Sequence, residues 1–194
     1  MNSFSLLNID SSSHDGIEKS FERISKELLN NYSIRINDFI FHFTEIEFYY
    51  YYKGIHEDEN THEHNLPFGK WRCHNQGLDI TFESTNISDG GILIRGIKQI
   101  NPFLEEPYIN GSRRVLFKLF ECMNDVLTTD SGLVLEKLPN PLNQEIYRTS
   151  RQGIKQDTYI NSKYRYFTEQ KNWKKKHILT SDKVLDESTW EEVL

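Results

Sequence analysis

Ile17, Phe21, Ile24 and Leu28 recur at three- and four-residue intervals, which puts them on one stripe of a helix. Ser and Asp residues upstream are candidate caps and an Asn pair follows, so the pattern predicts an amphipathic helix over 15–30. Between 34 and 52 the chain is dense in β-branched and aromatic residues and holds neither Gly nor Pro. That stretch predicts one long strand, or a hairpin pair turning near Asn37-Asp38. The polar, acidic, His-rich stretch 54–69 predicts a loop long enough to carry function. Strands are expected over 70–73, 78–82 and 91–98, with Asp89-Gly90-Gly91 as the tight turn before the last. Beyond a Pro-bracketed loop, Val115, Leu116, Leu119, Phe120, Met123, Val126 and Leu127 share helical register. They predict a helix over 112–127 that packs on the sheet. Residues 133–138 read as a strand or a short helix, 164–168 as a late strand, and the tail 172–194 as a short helix packing back on the domain. The fold class is therefore α+β, a mixed or antiparallel curved sheet with flanking helices.

Length is consistent with one domain, because 194 residues suit a single core better than two cramped ones. Only 37% of the residues are hydrophobic, but 12 Phe, 10 Tyr and 3 Trp give that fraction unusual bulk. An aromatic-rich core is expected. The first ten residues lack a basic run leading into an apolar one, and no apolar stretch reaches membrane-spanning length. With Cys73 and Cys122 too few for a disulfide framework, the expectation is a cytoplasmic protein with no membrane partner.

A net charge of −6 argues against wholesale attraction to nucleic acid. The charges are nonetheless segregated. Between Arg148 and His177 nine Lys or Arg (Arg148, Arg151, Lys155, Lys163, Arg165, Lys171, Lys174, Lys175, Lys176) face two acids, Asp157 and Glu169. Between Glu45 and Glu63 there are six acids and one Lys. Such a run is either a phosphate-facing rim beside an acidic pocket or a solvated face.

Three groups of residues carry candidate chemistry. With strict alternation along a strand, Phe39, Phe41, Phe43, Glu45, Glu47 and Tyr49 share one face, so two carboxylates continue a row of phenylalanines. A carboxylate beside apolar surface loses hydration and becomes a better proton acceptor; at a solvated strand end it is merely wet. His56, His62 and His64, interleaved with Glu57, Asp58 and Glu63, have the residue types of a zinc site without the spacing of a known pattern. Arg95 interrupts the apolar run Ile92-Leu93-Ile94-Arg95-Gly96-Ile97, where a charge is costly unless paired. Glu45 or Glu47 is the expected partner, in a functional or a purely structural salt bridge.

Taken in order, these segments resemble the motif series of the 3-methyladenine (alkyladenine) DNA glycosylase family. The series is Glu45-Ile46-Glu47-Phe48-Tyr49, a His-containing loop, Gly69-Lys70-Trp71-Arg72-Cys73-His74, Gly91-Ile92-Leu93-Ile94-Arg95-Gly96-Ile97, Ser150-Arg151-Gln152-Gly153-Ile154 and Tyr164-Arg165-Tyr166-Phe167. The likeness spans about 17–168, and the tail lies outside it.

The resemblance implies a partly barrel-like glycosylase domain in which Glu47 activates a water that attacks the N-glycosidic carbon of a flipped nucleotide. It implies that Tyr49, His62 and His74 sandwich the base, and that Arg95 and the Ile154 carbonyl help hold the water. Glu45 and Arg151 become supporting groups at the substrate site, and no metal or organic cofactor is required. The implied partner is DNA. Where the family places a bulky aromatic wedge, Asn75-Gln76 precede Gly77, which shifts the expected substrate toward single-stranded DNA, a disrupted duplex or a free nucleotide. The loop also lacks the small residues usual before the stacking histidine, leaving the choice among His56, His62 and His64 open. The alternative function is a non-catalytic binder of a nucleotide or nucleic acid that uses the same aromatic pocket.

Overall fold

In the computed structural model, which describes residues 3–100, 103–104, 107–123, 132–154, 158–168 and 190–193, the aromatic segment folds as a hairpin. Its arms are β1 (Tyr32–Ile36) and β2 (Phe39–Tyr52). Asn37 turns the chain between them at φ 52°, a left-handed conformation that Asn tolerates better than most residues. The further strands are β3 (His56–Glu57), β4 (Trp71–His74), β5 (Gly77–Thr81), β6 (Ser88–Gln99) and β7 (Tyr108–Asn110). Then come β8 (Leu133–Lys137), β9 (Tyr147–Thr149), β10 (Arg165–Phe167) and β11 (Glu191–Glu192).

Among the described residues all eleven strands join one sheet, and every pairing in it is antiparallel. β2 is its spine. One edge of β2 takes β1, β10 and β3 in succession, and the other takes β6 along nearly its whole length. The path β11-β9-β10-β2-β6-β5-β4 does not close on itself. The fold is α+β with an open antiparallel sheet and two α-helices among the described residues.

α1 (His14–Asn31) starts where the Ser13 hydroxyl accepts the Gly16 N–H, and it buries Ile17, Phe21, Ile24 and Leu28 completely. α2 (Ser112–Glu121) buries Val115 and Leu119. The expected apolar face of α2 is narrower than the sequence suggests, since Phe120 and Met123 are exposed. Val126 and Leu127 lie outside the described residues. Residues 133–138 resolve to a strand, because β8 pairs with β1 from Leu133 to Lys137. The described end of the tail is also a strand where a helix was expected. β11 pairs with β9, and the Trp190 ring lies 4.9 Å from Phe167 and 5.9 Å from Tyr147. Positions 172–189 fall outside the described residues.

Asp89-Gly90-Gly91 is not the turn that its composition predicts. β6 already runs through it, and the reversal lies earlier, where the Thr85 N–H reaches the Ser88 carbonyl at 2.8 Å. The glycine answers a packing demand: a Cβ on Gly90 would sit 2.3 Å from the Tyr49 carbonyl oxygen and 2.9 Å from Tyr50 Cα. At φ 146° it is also strained for any L side chain. Gly90→Ala should therefore cost roughly 2–4 kcal/mol from overpacking and backbone strain together. Urea unfolding measures it, and a loss below the ~0.5 kcal/mol typical of a neutral surface change would refute the close-packing account.

β2 does not alternate strictly. Its register with β6 shifts between Phe43 and Glu45, where Thr44 is left without a partner on β6, and shifts back between Glu45 and Ile46, where Arg95 is left without one on β2, a bulged irregularity at which the alternation re-phases. Before the bulge Phe41 and Phe43 enter the hydrophobic core; after it Ile46, Phe48 and Tyr50 do. Glu45, Glu47 and Tyr49 thus stand on the face opposite the phenylalanines instead of continuing their row.

Candidate active site

The bulge creates a second, polar layer under the sheet's other face, and that layer is buried too. Glu45 is 2% exposed and Glu47 is fully buried. Across β6, Gly96 makes room for Glu45: a Cβ there would lie 3.0 Å from the Glu45 Cβ and 2.6 Å from Thr44 Oγ1. Arg95 donates from Nε to Glu45 Oε1 at 3.0 Å and from Nη1 to Glu47 Oε2 at 3.4 Å. Arg165, buried on β10, donates from Nε to the same Glu45 oxygen at 2.5 Å. Burial alone would raise the Glu45 pKa, but the Arg165 and Arg95 guanidiniums outweigh it and hold this carboxyl below the usual range. Arg95 thus meets both candidate carboxylates.

Glu47 connects to the surface through Tyr49, whose hydroxyl donates to Glu47 Oε2 at 2.8 Å. Burial, then the Glu47 charge, push the Tyr49 phenol well above its ordinary pKa, so the hydroxyl stays protonated and remains a donor. Behind the ring lies Arg151, its guanidinium 4.6 Å from the centroid. Arg151 is clamped by Asp58 at 2.5 and 3.2 Å, with both side chains fully buried, and it donates to the Phe48 carbonyl at 3.1 Å. Of Glu47's two oxygens, Oε1 accepts no hydrogen bond from the described residues.

In front of Tyr49 opens a cavity of about 180 Å³ whose walls include His62, His74, Thr61, Arg72, Asp79, Leu93, Gly153 and Ile154. It falls below the roughly 300–1,000 Å³ of sites for drug-sized ligands and suits one ring system. The His62 and His74 rings meet edge to face, centroids 6.4 Å apart. His74 Nε2 lies 2.9 Å from Asp79 Oδ2, and this partner raises the His74 pKa above the usual value. Arg72 anchors the loop: Nη1 lies 3.4 Å from Asp79 Oδ2 and donates to the His62 carbonyl, and Nη2 donates to the Glu63 carbonyl.

The predicted site residues therefore divide. Tyr49, His62, His74 and Ile154 line the cavity, whereas Glu45, Glu47, Arg95 and Arg151 do not. Arg151 supports the wall from behind instead of facing a substrate. The three loop histidines go to three places. His62 lines the cavity, and His64 is buried with Nε2 2.9 Å from the Gly90 carbonyl and 3.2 Å from Asp89. His56 is buried against Tyr159, ring centroids 4.1 Å apart. No group of three metal-capable side chains occurs among the described residues.

The basic run also reads differently in three dimensions. Arg151 and Arg165 are interior ion-pair partners, Arg148 bridges Glu22 and Glu191, and Lys163 reaches Glu191 at 2.5 Å. Those four are not a phosphate-facing rim. Lys155, Lys171, Lys174, Lys175 and Lys176 lie outside the described residues.

Buried His56 gives the fold a pH dependence. Its Nδ1 donates to the Tyr50 carbonyl at 2.7 Å, and Nε2 lies 3.0 Å from the Tyr164 hydroxyl, which itself donates to Glu18 Oε1 at 3.1 Å. Burial above all lowers its pKa from 6.5 to about 4. Between those values the unfolded chain binds a proton that the folded chain does not, so stability rises with pH across the window and falls on acidification. His56 should account for at most about 3 kcal/mol of loss from pH 6.5 to 4, at 1.36 kcal/mol per unit. The stability difference between wild type and His56→Gln, measured by urea unfolding, should shrink over that window; a constant difference would rule the account out.

Four residues of the arrangement escaped sequence reasoning as site residues: Arg72, Asp79, Arg165 and, as the partner of Arg151, Asp58. Asp79 had a usable signal, since it interrupts Leu78-Asp79-Ile80 just as Arg95 interrupts its own strand. Asp58 had none, lying in an acidic loop among residues that differ from it only in three dimensions. Among the described residues no helix is long and apolar enough to cross a membrane. Comparison with known protein families and with curated proteins finds no match to this chain.

Proposed function

We propose that this protein is a DNA N-glycosylase-like hydrolase that holds one damaged or modified base between Tyr49, His62 and His74 and cleaves its N-glycosidic bond with a water activated by Glu47. The observation that carries the reading is Tyr49 itself, which forms a cavity wall with its ring and hydrogen-bonds Glu47 with its hydroxyl. One residue links a base-sized space to a buried carboxylate. The order of the motifs, which resembles that of the alkyladenine glycosylases, and a curved, partly barrel-like sheet of that type belong to the same proposal.

Chemically, the water's oxygen forms the new bond to C1′ as the C1′–N pair leaves with the base, and the water's proton passes to Glu47. Glu47 Oε2 is engaged by Tyr49 and Arg95, so Oε1 is the oxygen left to take that proton. The carboxylate also stabilises the positive charge that develops at C1′. Arg95 orients Glu47, and the Ile154 carbonyl is the proposed second acceptor for the water. Stacking on aromatic and imidazole faces recovers about 1–3 kcal/mol per base against the cost of unpairing. With Asn75-Gln76 where a wedge would stand and several arginines spent on internal pairs, single-stranded DNA or a disrupted duplex is the proposed partner.

The test is a base-release panel, with alkylated, deaminated and hypermodified bases in single- and double-stranded DNA and alkali-labile abasic sites as readout. Intact DNA across the panel, from protein that melts cooperatively, sinks the proposal. The complete burial of Glu47 favours one second reading, a binder that holds the base without cleaving it. Tight oligonucleotide binding without base release would establish that reading instead.

A further inference from the structure

We infer that Asp79 reads the edge of the bound base: it selects a neutral nucleobase that presents an N–H donor, an exocyclic amino or ring imino group, to its carboxylate. The inference rests on the base-binding cavity proposed above and adds what that cavity prefers.

Three observations lead to it. Asp79 stands mid-strand on β5 as a cavity wall, yet it is only 7% exposed. Its Oδ2 accepts from Arg72 Nη1 at 3.4 Å and lies 2.9 Å from His74 Nε2, while its Oδ1 is buried and accepts no hydrogen bond from any described residue. Leaving a buried acceptor unpaired is costly, and far more so for a carboxylate oxygen. A second orphan shares the same cavity, since the Thr61 hydroxyl is buried and without a hydrogen-bond partner among the described residues. A polar heterocycle bound in that space is the inferred partner for both.

The charge inventory decides what kind of donor fits. Asp79 already has His74 and Arg72 against one of its oxygens, and Arg151 lies behind the Tyr49 ring. A further cation would meet a wall whose carboxylate is already shared. A neutral N–H meets only the open lone pairs of Oδ1. A site built to accept a hydrogen bond discriminates strongly against a ligand that lacks the donor, since the acceptor is then stranded on binding.

The test compares matched pairs that differ in one donor, each placed centrally in a short single-stranded oligonucleotide: adenine against purine, guanine against hypoxanthine, and thymine against N3-methylthymine. Binding to the full chain is measured for wild type, Asp79→Asn and Asp79→Leu, with melting curves to confirm folding. Wild type should favour the donor-bearing member of at least one pair by about tenfold or more, as one lost hydrogen bond to a charged group predicts. Asp79→Leu should collapse that ratio toward one, which a merely structural role for Asp79 would not do, while Asp79→Asn, whose amide oxygen can still accept, should retain part of it. Equal affinity within every pair in wild type overturns the inference while leaving the cavity's role as a base site intact. So does a preference that survives Asp79→Leu. Failure of wild type to bind any of the six oligonucleotides overturns the inference and the base-site reading together.

Discussion

Glu47→Gln is expected to lower base release by about 10²- to 10⁴-fold, the range spanned by a positioned general base, while leaving oligonucleotide binding nearly unchanged. The substitution is close to isosteric, and its amide oxygen can still accept the Tyr49 hydroxyl that now lies 2.8 Å from Glu47 Oε2. What it cannot do is take a proton from water or offset charge at C1′. Because Glu47 lies behind the cavity wall, a loss in turnover without a loss in binding is the signature that separates chemistry from architecture. Tyr49→Phe supplies the internal contrast, since it keeps the stacking ring and removes only the hydroxyl that orients Glu47; its effect on turnover should be smaller. Single-turnover kinetics with the best substrate of the base-release panel measures both. A Glu47→Gln protein that releases base at the wild-type rate would mean that another group is the base.

The fold was legible where one physical signal dominated. The stripe Ile17, Phe21, Ile24, Leu28 could only be buried as a helix face, and Asn37-Asp38 offered the sole turn chemistry within a run of strand formers. The bulge at Thr44 to Ile46 was not legible, because alternation rules assume an unbroken ladder and the irregularity depends on the partner strand. Its consequence is large: it exchanges the two faces and puts Glu45 and Glu47 among arginines instead of phenylalanines. Arg95 was readable as a charge in need of a partner. Arg165, which makes the shorter contact to Glu45, was hidden in a run whose high charge density looked superficial. Gly90-Gly91 misled for the opposite reason, since glycine serves turns and close backbone approach alike. At the site, residue type alone could not rank His56, His62 and His64. Only the pairing of β2 with β3 and β6 sends one into the core, one under the loop and one into the cavity.

Glu45→Ala should destabilise the protein by roughly 3–5 kcal/mol, the cost of breaking a buried ion pair from one side. Glu45, Glu47, Arg95 and Arg165 form an interior group of two carboxylates and two guanidiniums, and Glu45 Oε1 takes the nearest contact from both arginines. Removing it leaves Arg165 Nε with Glu47 Oε1 at 3.9 Å as its remaining contact within the group. The loss should also be pH-dependent in a defined direction. The folded-state pKa of Glu45 is depressed, so below its ordinary value of 4.5 the unfolded chain takes up a proton first. Its contribution is present above that pH and fades as the pH falls through the folded value. Acid should therefore narrow the gap between wild type and Glu45→Ala. The double replacement Glu45→Leu with Arg165→Met distinguishes the cause, because removing both charged partners abolishes the need for compensation and should cost well under the sum of the two single changes. Strict additivity in urea unfolding would show that shape at this position, and not charge pairing, holds β10 against β2. The two glutamates of the strand thus separate by experiment: loss of Glu45 is read in stability, and loss of Glu47 in turnover.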